Sequence, residues 1–352
     1  MKILMLSWRD IKNPKRGGAE YVSYELLKRW KGHECTWFAS AFPGCAETED
    51  IEGIHIIRKG GPLGVYYEAY KYLQDKKFDI VIDQVNTIPF FTPLYYKGKK
   101  ISFFHQLCEK IWFYETFFPL SLVGYIAEKV YLRLYRKLPA LVVSHSTKKN
   151  LEKYGFNNIF VMKDCIDSTP VKEIPIKNSF SLIYVGRLKK SKRVHDIISA
   201  FSIVQKEFPS AKLHIVGTGD HRYEKRLRKM SGDSVTFHGY LEKDKRNELM
   251  SRSEAVLVAS VKEGWGLIVI EANAMGTPAI SYNVDGLRDS VKPMLTGLIT
   301  QKNNPEGLAK SITDFLKDEM LKKQLSINAL NYSRTFNWDE SADTVLKWLI
   351  QS

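Results

Sequence analysis

Short apolar runs alternate with longer segments of helical periodicity along most of this 352-residue chain, and the alternation occurs twice. In the first half the predicted strands are residues 3–6, 54–58, 80–83, 101–104, 141–144 and 159–162, with predicted helices at 18–31, 65–74 and 148–154. In the second half the predicted strands are 182–185, 212–216, 235–237, 255–258 and 279–282, with predicted helices at 194–207, 223–230, 243–252 and 267–275. Continuous apolar strands joined by helices are typical of parallel sheets covered on both faces. We therefore predict an α/β protein with two Rossmann-like domains, whose parallel sheets face a cleft at the carboxyl ends of the strands.

Residues 168–178 interrupt this alternation, because they contain two prolines and no clean period. The segment predicts an interdomain linker between an N-terminal domain at 1–168 and a C-terminal domain at 179–336. Three more helices are predicted beyond the second alternation, at 305–317, 320–334 and 338–350.

The chain carries a formal net charge of +14. Nucleic acid, an anionic membrane surface or a negatively charged small substrate could each account for such a balance. No zinc-finger spacing, RNA-binding aromatic motif or homeodomain pattern occurs, and the basic residues are scattered over both halves, so we do not expect nucleic-acid binding.

The four cysteines form no CxxC pair, and no histidine cluster has metal-ligand spacing. This pattern disfavours a zinc site or a disulfide framework and fits a reducing compartment, so a cytoplasmic location is predicted. The first residues lack the features of a signal peptide, and no apolar run reaches the length of a transmembrane helix.

Glu263 and Glu271 lie on either side of a glycine turn, where a predicted strand gives way to a predicted helix. Gly264 and Gly266 allow the backbone to approach a ligand closely, and a helix N-terminus offers free N–H groups to a diphosphate. Carboxylates accept hydrogen bonds from sugar and ribose hydroxyls. The alternative is an acidic loop followed by a surface glutamate, but the glycines and the strand–loop–helix setting favour a nucleotide-sugar site.

Arg187 and Lys192 follow another predicted strand and Gly186. Their spacing allows two fixed cations to flank one site, where they would stabilise the charge of a departing diphosphate. The alternative is a basic surface loop. That interpretation suits the neighbouring Lys189 and Lys190 better than it suits Arg187, which comes directly after the strand.

Two features of the first half are weaker candidates. Gly17 and Gly18 open the first predicted helix and could make a close-approach turn, although the run is not the GxGxxG of dinucleotide-binding domains. His105 follows a predicted strand, where residues of a ligand cleft belong, and His145 follows another. A core or surface histidine is the ordinary alternative for both.

The run from Glu263 to Glu271 resembles the E-x7-E motif of retaining glycosyltransferase family 4, and residues 185–188 with Lys192 resemble the family's phosphate-binding Arg/Lys pair. Further similarities lie at residues 17–20, 164–167, 216–219, 237–240, 272–278 and 296–298. The resemblance covers nearly the whole chain and is more specific in the second half. It departs from the family at Arg193, where a glycine is common, and at residues 284–288, which replace a common Gly-Gly-Ile-Pro turn.

The resemblance implies a GT-B fold, in which the C-terminal domain holds the donor and the N-terminal domain shapes the acceptor site. The last helix, within 337–352, would cross back to the N-terminal domain. The implied catalytic residues are Glu263 at the donor sugar ring, Arg187 and Lys192 at the diphosphate, and His105 near the anomeric carbon. The implied donor-binding residues are Glu271 for the ribose, backbone groups of Gly266, Leu267, Gly17 and Gly18 for the phosphates, Gly217 in the matched turn, and Tyr240 at the base pocket.

The implied reaction is transfer of a hexose from a UDP- or GDP-sugar, with retention and with no metal or other cofactor, to a glycan or lipid-linked acceptor. The aromatic-rich segment 111–137, which ends in basic residues, could lie on an anionic membrane face; an ordinary core helix is the alternative. Two other functions remain open: a nucleotide-sugar epimerase or sugar phosphorylase of the same fold, and a non-catalytic nucleotide-sugar-binding scaffold at the membrane.

Overall fold

The computed structural model describes residues 1–352, which divide into two compact units. The first unit contains Met1–Glu109, Pro119–Cys165 and Asn337–Ser352, and the second contains Lys110–Phe118 and Ile166–Phe336. Each unit is built around one sheet, and helices connect most of the successive strands, as parallel pairing requires.

The strands, in chain order, are β1 (Lys2–Leu6), β2 (Glu34–Ala39), β3 (Thr48–Ile51), β4 (Ile54–Arg58), β5 (Ile80–Val85), β6 (Lys100–Phe104), β7 (Ala140–Val142), β8 (Ile159–Val161), β9 (Ser181–Val185), β10 (Lys212–Val216), β11 (Val235–Gly239), β12 (Ala255–Val258), β13 (Ala279–Ser281) and β14 (Gly297–Ile299). The helices are α1 (Gly18–Leu27), α2 (Val65–Asp75), α3 (Thr92–Tyr95), α4 (Ile111–Glu115), α5 (Leu120–Tyr135), α6 (His145–Glu152), α7 (Val194–Glu207), α8 (His221–Met230), α9 (Lys243–Arg252), α10 (Leu267–Ala274), α11 (Leu287–Ser290), α12 (Pro305–Lys317), α13 (Glu319–Ser333) and α14 (Trp338–Gln351), with one 3-10 turn at Lys190–Lys192.

The first unit has an eight-stranded sheet in the order β3-β4-β2-β1-β5-β6-β7-β8. Every pairing is parallel except that of the edge hairpin β3–β4. The central strands β1 and β5 are almost wholly buried, which explains their continuous apolar sequences. The last helix, α14, belongs to this unit: Trp30 donates its indole N–H to the carbonyl of Ala342, and Arg29 pairs with Asp339.

The second unit has a six-stranded parallel sheet in the order β11-β10-β9-β12-β13-β14. The strand order reverses between the parallel neighbours β9 and β12: the chain continues from β9 to β10 on one side of the sheet and from β12 to β13 on the other. Ligands of doubly wound sheets bind at such a reversal, beyond the carboxyl ends of the strands. Apolar side chains cover both faces of this sheet in two clusters, one including Ile197 and Phe315 and the other including Val269 and Ile270.

Several elements differ from their predicted bounds. The strands β2 and β3 were not predicted, because β2 opens on a glutamate and has Thr36 among its apolar residues, and β3 has the polar sequence Thr-Glu-Asp-Ile. The first helix ends at Leu27 instead of residue 31, and tighter turns follow it. The helix predicted to start at 148 begins at His145, because the Ser144 side chain accepts a hydrogen bond from the Thr147 amide and caps it.

The segment 111–137 was considered as one amphipathic surface, but its two helices belong to different units. The helix α4 lies in the second unit, where Glu115 accepts a hydrogen bond from the Ser191 amide at 3.1 Å and pairs with Lys189 at 3.3 Å. The helix α5 lies in the first unit. The sequence alone therefore gives no basis for treating α4 and α5 as one membrane-facing surface.

The segment 168–178, predicted as a linker, has no helix or strand and packs within the second unit. Its backbone is held by a hydrogen bond from the Val171 amide to the Ala274 carbonyl and another from the Asn178 amide to the Arg252 carbonyl. No helix of the chain combines the length and the apolar character that crossing a bilayer requires.

Candidate functional site

The loops that follow β9 and β12 carry most of the residues singled out in the second half of the sequence. These loops leave neighbouring strands at the point where the strand order reverses. Sequence spacing alone could not show that residues more than 70 positions apart would be neighbours, because it does not give the order of strands in a sheet.

Lys192 and Glu263, one from each loop, form an ion pair with 2.5 Å between Nζ and Oε1. The same carboxylate oxygen accepts a hydrogen bond of 2.6 Å from the Ser260 hydroxyl. The Glu263 side chain is 15% exposed and that of Lys192 is 31% exposed, so both remain accessible from solvent. The two predicted catalytic side chains therefore touch, and Ser260 fixes the orientation of the carboxylate.

Arg187 is exposed and takes part in no ion pair, and its backbone carbonyl accepts a hydrogen bond from the buried Tyr184 hydroxyl at 2.9 Å. Burial raises the pKa of Tyr184 well above its usual value. The hydroxyl therefore stays protonated and holds the loop by donating to it. A guanidinium without a carboxylate partner is available for an anion.

Gly217 lies in the loop after β10, and its role in the structure is packing against the loop that contains Gly186. Its φ is +129°, and a Cβ added to it would lie 2.0 Å from the Gly186 carbonyl oxygen. Only glycine fits such a contact. The amides of Gly186 and Leu188 donate to the carbonyls of Val216 and Thr218, which joins the two loops.

Gly266 immediately precedes α10 and Leu267 is its first residue. Gly266 has a φ of +98°, a conformation that favours glycine, and the first N–H groups of α10 follow it. The turn before α10 is tightly packed: a Cβ on Gly286 would lie 2.3 Å from the Glu263 carbonyl oxygen. The Glu263 amide also donates to the Asp285 carbonyl at 3.1 Å.

Glu271 lies one turn into α10 and is paired with Arg246 of α9 at 3.3 Å. Burial raises the pKa of Glu271, and the positive charge of Arg246 opposes this effect. Lys243 is nearby and pairs with Asp167 at 2.6 Å. Glu271 therefore has partners different from those of Glu263, although both were predicted to face one pocket. Tyr240, predicted at the base pocket, follows β11 and is 70% exposed.

The two departures from the family pattern have local explanations. Arg193 adopts the left-handed φ of +50° that glycine prefers, and its side chain pairs with Asp196 and lies over the Tyr282 ring. These contacts compensate for backbone strain of about 1 kcal/mol or more. Arg288 is held by Asp285 and Asn283 beside the glutamate loop.

Gly17 caps α1 and Gly18 is its first residue, after the loop that follows β1. The Gly17 amide donates to the buried Glu20 carboxylate at 2.6 Å, so this N–H already has a partner. Gly17 has extended φ and ψ values that any residue can adopt. Its backbone conformation therefore does not by itself demand glycine.

His105 follows β6 in the first unit, and burial lowers its pKa to about 3. The Gln84 side-chain amide of β5 donates to Nε2 of His105 at 2.9 Å and to the Ser23 hydroxyl of α1 at 2.6 Å. An imidazole that accepts at Nε2 carries its proton on Nδ1. His105 is thus a neutral group with a fixed tautomer. His145, the weaker candidate, is exposed.

We expect His105 to make stability depend on pH. The unfolded histidine has a pKa near 6.5 and the folded one a pKa near 3, so the unfolded state binds the extra proton between these values. Stability contributed by the neutral form is present above pH 6.5 and is lost as the pH falls, by about 2 kcal/mol at pH 5. Urea unfolding at pH 7.5 and pH 5 should show a smaller loss for His105→Gln than for the wild type. His145→Gln is the matched control and should behave as the wild type; equal losses in all three proteins would contradict this role for His105.

The sequence analysis missed Gln84, Ser260 and Arg246. Each contacts one of the predicted site residues, but none lies in a recognisable motif. Arg246 in particular cannot be distinguished by sequence from the many other basic residues of the chain. No group of three or more His, Cys, Asp or Glu side chains is placed to hold a metal ion.

The loops after β9, β10 and β12 lie within residues 168–332, which match the sequence model of the group 1 glycosyl transferases. This part of the chain belongs to that family. The chain is 30% identical over 170 residues to the glycogen synthase of Mycobacterium tuberculosis, an alignment that covers 47% of this chain and 41% of that protein. It is 33% identical over 153 residues to the N-acetyl-alpha-D-glucosaminyl L-malate synthase of Bacillus anthracis, covering 42% of this chain and 39% of that protein. The chain thus spans less than half the length of these curated relatives.

Solved structures of glycosyltransferases have the same fold as this chain. Sucrose-phosphate synthase from Thermosynechococcus elongatus superposes with a TM-score of 0.81 at 20% identity, over 99% of this chain and 98% of that one. HepE from Anabaena, solved in complex with UDP-glucose, gives a TM-score of 0.77 at 17% identity, over the full length of both chains. The predicted α/β architecture with two parallel-sheet domains of GT-B type is therefore confirmed.

Proposed function

We propose that the chain is a retaining, metal-independent glycosyltransferase that moves a hexose from a nucleotide diphosphate sugar to a glycan or lipid-linked acceptor. The observation that supports this most directly is the ion pair of Lys192 and Glu263. It joins a cation suited to a diphosphate with a carboxylate suited to a sugar hydroxyl at the strand-order reversal of the sheet.

In this proposal the diphosphate lies among Arg187, Lys192 and the first N–H groups of α10. Arg187 forms no ion pair, so it can bind an anion without first breaking one. Positive groups placed before the reaction stabilise the charge that grows on the leaving group. Glu271 would accept hydrogen bonds from the ribose hydroxyls, with Arg246 holding its carboxylate in place.

The proposed step breaks the bond between the anomeric carbon and the diphosphate oxygen and forms a bond from that carbon to an acceptor hydroxyl oxygen. The acceptor attacks from the face that the diphosphate leaves, which retains the configuration, and its proton passes to the departing diphosphate. His105, neutral and protonated on Nδ1, would donate a hydrogen bond near the anomeric carbon without moving a proton.

A UDP-sugar is the donor we expect first, because the similarly folded HepE binds UDP-glucose. Incubating the protein with UDP-, GDP- and ADP-sugars should release nucleoside diphosphate from one of them, and an added lipid-linked acceptor should accelerate the release. Release that no acceptor accelerates would instead favour an epimerase-like turnover, and release that requires phosphate would favour a phosphorylase.

The decisive control is Arg187→Met, which keeps the length of the side chain but removes the charge. We expect its release rate to fall by tenfold or more, since a charge-assisted contact contributes about 1.5–3 kcal/mol. If no donor is turned over by the wild type, or if the variant is equally active, the proposal is wrong. Nucleotide-sugar binding without turnover would support the scaffold alternative.

We also propose that helix α5 of the first unit docks on an anionic membrane. Its outer face carries the exposed apolar residues Leu120, Val123, Ile126 and Val130. The helix ends in a basic sequence, with exposed Arg133 followed by residues 136 and 137. Apolar side chains flanked by cations are typical of helices that lie in a membrane interface.

Flotation with liposomes containing anionic lipid tests this docking. We expect the wild type to float at low salt and the Ile126→Asp, Val130→Asp double variant to stay in the soluble fraction. Met320→Asp changes an even more exposed apolar residue, on α13, and should float as the wild type does. A wild type that remains soluble at low salt would contradict the proposal.

A further inference from the structure

The second unit contains a cavity of about 700 Å³ between the extended segment 172–180 and the helix α13. A volume of this size is in the range of pockets that hold small molecules. None of the residues assigned to the donor or acceptor lines it.

The cavity lies at the amino ends of the strands, whereas the candidate donor site lies at their carboxyl ends. Phe180 lines the cavity immediately before β9, and Arg187 follows the other end of the same strand. Glu254 lines it immediately before β12, whose other end leads to Glu263. A five-residue strand spans roughly 13 Å, so the two sites are separate.

Glu254 in the cavity wall is only 8% exposed and has an oxygen without a hydrogen-bond partner. Its Oε1 accepts from Lys322 Nζ at 2.9 Å, while Oε2 has none. A buried carboxylate oxygen without a donor costs free energy, which a ligand hydroxyl could recover.

Lys177 supplies a cation to the same cavity. Its Nζ donates to the Thr277 hydroxyl at 2.8 Å, and it forms no ion pair. Burial lowers the pKa of Lys177 to about 7, an effect that the charge of Glu254 only partly offsets. An anion bound next to this ammonium would compensate for its loss of solvation.

The remaining lining has more cations than carboxylates. Lys172, Lys323 and Arg334 are exposed cations at the rim, beside the exposed carboxylates of Glu173 and Glu319. The Phe180 ring offers an apolar surface to the carbon face of a sugar. We propose that this cavity is a second ligand site, distinct from the donor site, for a phosphorylated small molecule with hydroxyl groups, such as a sugar phosphate. The phosphate contacts Lys177 and the rim cations, and a hydroxyl donates to Glu254.

Isothermal titration calorimetry of the full chain with glucose 6-phosphate tests this site. We expect saturable binding, weakened by about tenfold or more in Lys177→Met and in Glu254→Gln, since each removes one charge-assisted contact. Arg187→Met, which alters the candidate donor site, should bind the probe as the wild type does. Thermal unfolding of each variant establishes that it is folded. The variant Lys323→Ser changes an exposed residue at the rim and should also lower the affinity for glucose 6-phosphate.

Three results would overturn the proposal. The first is an absence of binding at millimolar glucose 6-phosphate. The second is binding that Arg187→Met abolishes and Lys177→Met leaves intact, which would assign the probe to the donor site. The third is equal affinity for inorganic phosphate, which would remove the role of the hydroxyl and of Glu254. Because binding is measured without turnover, a failure here is distinguishable from a failure of the proposed transferase activity.

Discussion

Replacing Lys192 with methionine should lower kcat/KM for donor turnover by about 100-fold. The change removes a positive charge from the proposed diphosphate site and also leaves the Glu263 carboxylate without its ion-pair partner. A charge-assisted contact contributes about 1.5–3 kcal/mol, and every 1.4 kcal/mol is a factor of ten in rate. Steady-state kinetics with the donor found in the panel would measure the loss.

Lys190→Met is the matched control, because Lys190 lies in the same 3-10 turn but is exposed and forms no ion pair. It should retain nearly full activity. The double variant Lys192→Met, Glu263→Gln should be less impaired than the product of the two single effects, since both single changes break one pair. Strictly multiplicative effects, or equal activity of the two lysine variants, would show that the ion pair does not act in turnover.

Replacing Gly217 with alanine should lower the free energy of unfolding by about 3 kcal/mol. The added Cβ would lie 2.0 Å from the Gly186 carbonyl oxygen, and the φ of +129° is unfavourable for any residue with a Cβ. Overpacking of this kind costs about 1–3 kcal/mol, and backbone strain adds a similar amount. Thermal or urea unfolding of the full chain would measure the change.

Gly232→Ala serves as the comparison, because a Cβ at Gly232 meets no atom within 4 Å. Its stability should match that of the wild type or exceed it slightly. Because the Gly186 and Gly217 loops are joined, Gly217→Ala should also weaken donor binding by displacing Arg187. A stable variant with normal donor binding would contradict the packing role assigned to this glycine.

Much of the second unit could be predicted from periodicity. The strand at 212–216 and the helix at 194–207 have the predicted bounds, since apolar residues there follow clean strand and helix periods. The strands β2 and β3 could not be predicted in this way. The first begins with a charged residue and is interrupted by Thr36, and the second is an antiparallel edge strand with little buried surface.

The candidate site was predicted residue by residue, but not as an arrangement. Glycine turns after strands indicated which loops matter, and the strand order then determines which loops meet. The pairing of Lys192 with Glu263 depends on β9 lying next to β12, and that of Glu271 with Arg246 depends on α9 lying next to α10. Neither adjacency is encoded in local sequence.

The placement of residues 110–118 in the second unit has a consequence for engineering hybrid proteins. The backbone passes between the units after residues 109, 118, 165 and 336, so no single cut separates them. A fragment that starts at residue 166 would lack Glu115, and with it the acceptor for the Ser191 amide and the partner of Lys189. Exchanging halves with a relative at the predicted linker would therefore transfer an incomplete second unit. A chimera that keeps residues 110–118 with the second half and α14 with the first half leaves each unit complete.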